Sequence, residues 1–333
     1  MTGLLKSLGR RMIGDTARLM GSLGLFFMVW GTIAPVSTLS WWFGEGGSDL
    51  EERLDELQEA QQENSDAEAP RRCYVVFLAG VGNTSDQALA DGETELLDEL
   101  EAAHPSCVVV REVFPYSAST ANIGGQALFD WLWEVDQSSD TGLPLARIIL
   151  RTRNLWRVAI SADGRYGEIY NQGIAVTILE QMNEAQPLPN NGTGEEPLRL
   201  ILMGTSGGAQ VALGAAPWLK ETLLSDITVV SFGGVFDGTD GFKSSDRVFH
   251  LRGEADWTEN IGGILFPSRW PWTFASPFNR ARQDGRYQGL SIGPHEHDGD
   301  RGYFGLTEIE NSGQSYLSLT IETVNALPIW PED

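Results

Sequence analysis

Cysteine, histidine and lysine are scarce in this 333-residue chain, which has two Cys, four His and three Lys (Lys6, Lys220, Lys243). Two cysteines exclude a disulfide-stapled scaffold and a Cys-rich zinc module. Any reaction that needs an imidazole must draw on His104, His250, His295 or His297. Positive charge is also short: 23 Lys+Arg stand against 46 Asp+Glu, for a net charge of −23. So negative a surface repels phosphate and argues against a general nucleic-acid binder. Neither a Walker-type loop nor a dinucleotide fingerprint is present, so nucleotide chemistry has little support. An acidic, lysine-poor composition suits a salty environment, and a GC-rich genome would give the same bias. What the chain does have is 41% hydrophobic residues, enough for one large domain or two and against global disorder.

Charge divides the chain into three parts. Residues 1–44 hold four basic residues and one acidic, and from Leu19 to Gly44 no residue is charged. Twenty helical residues cross a hydrocarbon core, so residues 19–43 are expected to be a transmembrane anchor, kinked at Pro35. Lys6, Arg10, Arg11 and Arg18 precede it, which predicts a cytoplasmic N-terminus and an extracytoplasmic main domain, as in a single-pass protein of a bacterial inner membrane. A signal peptide cleaved after Ala34 is the competing reading, disfavoured by Pro35, and a buried or peripheral helix is a third. Residues 45–70 carry ten acidic residues, one Arg and no aromatic, and read as an acidic spacer. Residues 71–333 form the body, with 18 basic and 35 acidic residues.

In the body, short apolar runs alternate with helical stretches. Strands are expected at Cys73–Leu78, Cys107–Val113, Leu198–Met203, Ile227–Phe232 and Arg247–Leu251, with another near Leu290–Ile292. Helices are expected up to about Ala103, at 126–135, at Gly167–Asn183, from Gly207 to about Leu219 and at Ser315–Leu327, while Leu145–Leu150 fits either state. This alternation predicts an α/β fold with a mostly parallel sheet covered by helices on both faces. The charge-free stretch Leu200–Leu219 has the length of a membrane span, but its glycines and Pro217 fit a strand, turn and helix better.

Gly204-Thr205-Ser206-Gly207-Gly208 matches G-x-S-x-G between the strand LRLILM and a helix rich in small residues. That context is what a nucleophile elbow needs, because the serine takes a strained conformation at a tight strand-to-helix turn. From this point the chain resembles the α/β-hydrolase superfamily over roughly Cys73–Leu327. The resemblance implies a nucleophile, an acid and a histidine in that chain order. The strand RVFHL runs into Arg252-Gly253-Glu254-Ala255-Asp256, which makes Asp256 the expected acid, with Glu254 and Asp237 as alternatives. The base must follow the acid. In Gly293-Pro294-His295-Glu296-His297-Asp298-Gly299, His297 is preferred and His295 is the alternative, because the Asp-Gly and Gly302-Tyr303-Phe304 that follow resemble the histidine loop of membrane-associated hydrolase-like proteins. His250 reads as a packed imidazole inside a strand, and His104 as a turn residue. The resemblance also implies an oxyanion hole from the backbone N–H groups of Gly207 and Val81, although Ala79-Gly80 replaces the family's usual His-Gly.

Trp270, Trp272 and Phe274 lie in a Trp/Phe/Pro-rich loop that can serve as a lid, line an acyl pocket, touch a membrane, or simply pack on the body. Arg165 and Tyr166 belong to a turn that can also rim the pocket. Cys73 and Cys107 begin strands that would be neighbours in this fold, and either a disulfide or two buried thiols fits. No metal site and no cofactor are expected. The function expected is a membrane-anchored serine hydrolase acting on a small-molecule or lipid acyl substrate. The alternatives are a non-catalytic membrane-tethered domain of the same fold and a Ser206/Asp237 dyad of the patatin type. Protein partners are not legible in the sequence.

Overall fold

The computed structural model describes residues 71–82, 89–111, 113–116, 144–188 and 197–331. The anchor at 19–43, the spacer at 45–70 and the helix expected at 126–135 lie outside the described residues. Among the described residues, no helix is long and apolar enough to cross a membrane.

The chain builds six strands and eight α-helices among the described residues. They run β1 (Cys73–Leu78), α1 (Asp91–Ala103), β2 (Cys107–Val110), α2 (Pro144–Ser161), α3 (Gly167–Ala185), β3 (Arg199–Thr205) and α4 (Gly207–Leu223). There follow β4 (Asp226–Phe232), α5 (Gly241–Ser244), β5 (Arg247–Arg252), α6 (Asn260–Leu265), α7 (Pro277–Gln283), β6 (Tyr287–Ser291) and α8 (Tyr316–Asn325). The strands form one sheet in the order β2-β1-β3-β4-β5-β6, and every pairing is parallel. The ambiguous run at 145–150 belongs to α2. Leu200–Leu219 is a strand, a turn and part of a helix.

Alternation along the strands explains why continuous apolar runs suit this sheet. Tyr74, Val76, Leu78, Leu200 and Leu202 face one core, shared with α2, α3 and α4. Val75, Phe77, Ile201 and Met203 face a second core, shared with α1 and α8. Both faces are therefore covered, as a parallel sheet requires. The helix ends are fixed locally: Glu93 accepts from the Ala90 N–H at 2.9 Å, and Ser315 caps α8 by accepting from the Ser318 N–H at 3.0 Å. Cys73 and Cys107 face each other across the β1–β2 pair, with Cα atoms 4.4 Å apart, and are joined in a disulfide. Of the two readings left open by the sequence, the structure takes the cross-link.

From β1 the chain moves to β2 on one side and later returns to β3 on the other. The order reverses between β1 and β3, and it is at the carboxyl ends of such a switch point that open α/β sheets bind ligands. Gly80-Val81 leaves β1 at that point and Ser206 leaves β3.

Candidate active site

Ser206 sits between the last residue of β3 and the first of α4, at φ 52° and ψ −120°. A non-glycine residue held there costs on the order of 1–3 kcal/mol, so the surroundings must impose it. They do so with two backbone hydrogen bonds: the Ser206 N–H donates to the Phe232 carbonyl at 3.0 Å, and the Ser206 carbonyl accepts from the Val235 N–H at 3.0 Å. The flanking glycines let strand and helix pass close together. A Cβ on Gly204 would stand 2.6 Å from the backbone of Ala209, and one on Gly208 would press into the Leu78 carbonyl.

The geometry joins three residues that the sequence separates widely. Ser206 Oγ lies 2.9 Å from His297 Nε2, and His297 Nδ1 lies 2.9 Å from Asp256 Oδ2. With a neutral imidazole these partners fix the tautomer: Nδ1–H donates to the carboxylate, and Nε2 accepts from the serine hydroxyl. Ser206 is 9% exposed and the His297 side chain 14%, so both lie close to the surface. The Asp256 side chain is fully buried.

Asp256 is heavily solvated by protein. Its Oδ2 also accepts from the Tyr303 hydroxyl at 2.9 Å, and its Oδ1 accepts from the Thr258 N–H at 2.8 Å and, at 3.4 Å, from the Glu259 N–H. Burial pushes the carboxyl up, but the bonds and charge of His297 with those of Tyr303 and Thr258 outweigh it, and the acid is held below the usual carboxylate range. For His297, burial pushes the imidazole down, while the Asp256 carboxylate, with Asp298 and Glu259 further off, raises it above the ordinary histidine value. Tyr303 itself stays protonated, because burial and the neighbouring Asp256 charge push its phenol far up.

The expected oxyanion donors flank the serine. A Cβ on Gly80 would lie 3.5 Å from Ser206 Cβ, and one on Gly207 would lie 3.0 Å from Val81 Cγ1, so the segment after β1 packs against Ser206 and the start of α4. The Gly207 N–H belongs to the first turn of α4, where amides have no intrahelical acceptor and the helix end is partly positive. The β1 loop is pinned from behind: Tyr116 donates to the Ala79 carbonyl at 2.9 Å and Asn154 Nδ2 to the Val81 carbonyl at 3.1 Å.

The alternatives fall elsewhere. Glu254 is exposed and accepts from Ser291 at 3.4 Å. Asp237 is buried and spends its oxygens on the Thr239 N–H and hydroxyl, closing a local turn. His295 is fully buried, with Nε2 3.0 Å from the Tyr316 carbonyl and 3.2 Å from the Thr320 hydroxyl, and its ring stacks on Tyr303. It supports the tyrosine that holds Asp256. His104 stacks on Trp330 and bonds Asn325 at 2.8 Å. Arg165 pairs with Asp163 within its own exposed turn. Among the described residues, no group of three or more His, Cys, Asp or Glu is placed to hold a metal ion.

Sequence reasoning missed Tyr303 as a partner of the acid. The string Gly302-Tyr303-Phe304 was visible, but a hydroxyl that reaches Asp256 and also accepts from the Gly253 N–H at 2.8 Å depends on tertiary packing.

The aromatic loop is both packed and exposed. Asn279 Nδ2 donates to the Trp270 carbonyl at 2.9 Å and the Thr273 carbonyl at 3.0 Å, and the Trp270 and Trp272 rings lie 5.2 Å apart. Yet Trp257, Ile264, Leu265, Trp272 and Phe274 are all exposed, and they supply five of the eight large apolar side chains that stand out on the described surface. These five fall within 18 residues of sequence, starting at the residue after Asp256.

No family model matches the chain, and no curated protein is significantly similar to it.

Proposed function

We propose that this protein is a membrane-anchored serine hydrolase of the α/β-hydrolase superfamily, cleaving an ester, thioester or lipid-like acyl bond. The observation that carries this reading is the continuous hydrogen-bonded chain from Ser206 Oγ through His297 to Asp256, with 2.9 Å at each step. In that mechanism His297 Nε2 takes the hydroxyl proton as Ser206 Oγ bonds to the acyl carbon, and Asp256 stabilises the imidazolium. The tetrahedral oxyanion is met by the N–H groups of Gly207 and Val81. His297 returns its proton to the departing alcohol or thiol. Water, deprotonated by the same imidazole, then releases the acid and restores Ser206. These steps use side chains and backbone amides alone.

Residues 19–43 serve as the anchor in this reading, with the body outside the cytoplasm. The disulfide between Cys73 and Cys107 is consistent with an oxidising compartment. The exposed apolar side chains at 257–274 favour a substrate with a hydrophobic acyl group over a small polar ester. A fluorophosphonate probe tests the activity: folded wild type is expected to be labelled and Ser206→Ala is not. An unlabelled wild type, or equal labelling of both, contradicts the reading and leaves a non-catalytic domain of the same fold.

A further inference from the structure

A second Ser–His–carboxylate chain lies buried beside the first. Ser231 Oγ on β4 is 3.1 Å from His250 Nδ1 on β5, and His250 Nε2 is 3.0 Å from Glu259 Oε2. Arg252 forks onto the same carboxylate, with Nε 2.7 Å and Nη2 2.6 Å from Oε1. Ser231 is fully buried, and His250 and Glu259 nearly so, so no substrate reaches this hydroxyl. Its geometry points elsewhere. Glu259 ends the turn that begins at Asp256, and the N–H groups of Thr258 and Glu259 both aim at Asp256 Oδ1, which leaves Oδ2 to His297 and Tyr303.

We propose that Glu259, clamped by Arg252 and His250, is a positioning residue that sets the orientation of Asp256 and, through its charge, the basicity of His297. The inference rests on the hydrolase reading of Ser206. A buried carboxylate must be paired to remain ionised. Burial pushes Glu259 up, but His250 and Arg252 together hold it below the usual range, while burial keeps His250 below its ordinary value and hence neutral. His250 Nε2–H therefore donates to Glu259, and Nδ1 accepts from Ser231. The charged groups acting on His250 are Glu259, Arg269 and Arg252, and the Phe236 and Tyr287 rings pack on it. Those acting on His297 are Asp256, Asp298 and Glu259. Glu259 is thus the element common to both chains.

The test uses the full-length protein, with hydrolysis of a p-nitrophenyl ester followed against pH and the His297 ring titrated by NMR. Glu259→Gln keeps the shape and removes the charge. The expected result is a kcat lower by roughly 10- to 100-fold, the cost of a slightly misplaced acid, with little change in KM and a His297 titration moved to lower pH. Arg252→Gln keeps the charge and loosens the clamp, so kcat falls while the titration stays near wild type. A folded Glu259→Gln with wild-type kcat and titration overturns the proposal. If that variant does not fold, wild-type kcat in Arg252→Gln does the same. Failure of the hydrolase reading shows separately, as a wild type that neither turns over ester nor takes the fluorophosphonate, while the NMR titration still reports on Glu259.

Discussion

Two Ser–His–carboxylate chains, Ser206–His297–Asp256 and Ser231–His250–Glu259, lie in one molecule and differ in nearly everything that decides reactivity. Ser206 stands at a strained turn just beyond the carboxyl end of β3, whereas Ser231 is the penultimate residue of β4 and still pairs within the sheet. The first serine and its histidine lie close to the surface, at 9% and 14% exposure, while Ser231 is at 0% and the His250 ring at 2%. The histidines are pushed in opposite directions. Burial dominates at His250 and keeps it neutral, whereas at His297 the carboxylate more than offsets burial and makes the ring a better base. Composition therefore does not make the site. Position past the last residue of a strand does, because a hydroxyl there lies beside the free amides of a helix start instead of inside the sheet.

The sharpest way to break the comparison is to cut each chain at its serine. Ser206→Ala is expected to lower ester hydrolysis by 10⁴-fold or more, on the order seen when a triad nucleophile is removed. Ser231→Ala should leave the rate within about twofold and lower stability by about 1–2 kcal/mol, since His250 Nδ1 loses its buried donor. Kinetics and urea denaturation of the two variants check this. Equal losses of activity would mean that the buried chain takes part in catalysis.

The disulfide stands apart from both chains and provides a stability control. Cys73→Ser with Cys107→Ser opens a 34-residue loop and should cost about 2–4 kcal/mol, read as a lower denaturation midpoint. Turnover of the folded fraction should not change.

Tyr303→Phe removes a hydroxyl that bonds both Asp256 and the Gly253 N–H. Asp256 keeps His297 and Thr258 but loses a buried donor, a charge-assisted bond worth about 1.5–3 kcal/mol. The rate should fall about tenfold, through kcat more than KM. An unchanged rate would mean that the backbone amides already hold the acid.

The pH profile sharpens the contrast without mutation. His297 must be neutral to accept the Ser206 proton, and its value in the fold is raised above 6.5. Activity should therefore climb with pH along a limb lying above the ordinary imidazole value. His250 has the opposite sign: the fold favours its neutral form and the unfolded chain binds a proton first, so its contribution to stability is full above the ordinary value of 6.5 and is lost as pH falls below it through the lowered value in the fold. An activity limb below 6.5 would contradict the coupling of His297 to Asp256.

Much of the fold was legible because its strands are buried on both faces and so appear as unbroken apolar runs such as CYVVFL and LRLILM. The run at 145–150 was ambiguous for the same reason, since an apolar run of that length does not distinguish a strand from one side of a helix such as α2. The strand expected to reach Val113 stops at Val110, and the one near Leu290 begins earlier, at Tyr287. Ser206 could be singled out because its chemistry needs local spacing, glycines two residues on either side. Chain order did not separate the candidates: Asp256 was preferred to Asp237 and Glu254 for its place after the strand RVFHL, and His297 to His295 for the Asp-Gly and Gly302-Tyr303-Phe304 that follow it. What separates them physically is contact across the fold, 41 residues between acid and base and 91 between base and nucleophile. Of the Arg252–Glu259–His250 cluster only the packed imidazole of His250 was legible, and its partners were not. In an acidic chain one more glutamate reads as surface, and only its burial against β5 reveals it.

Mapping the fluorophosphonate adduct by mass spectrometry, with its rate of formation followed against pH, tests the central claim most directly. The account predicts one adduct, on the peptide that carries Ser206, absent from Ser206→Ala and from the Ser231 peptide, and forming faster as His297 loses its proton. An adduct on any other serine, or a rate indifferent to His297→Ala, would contradict it.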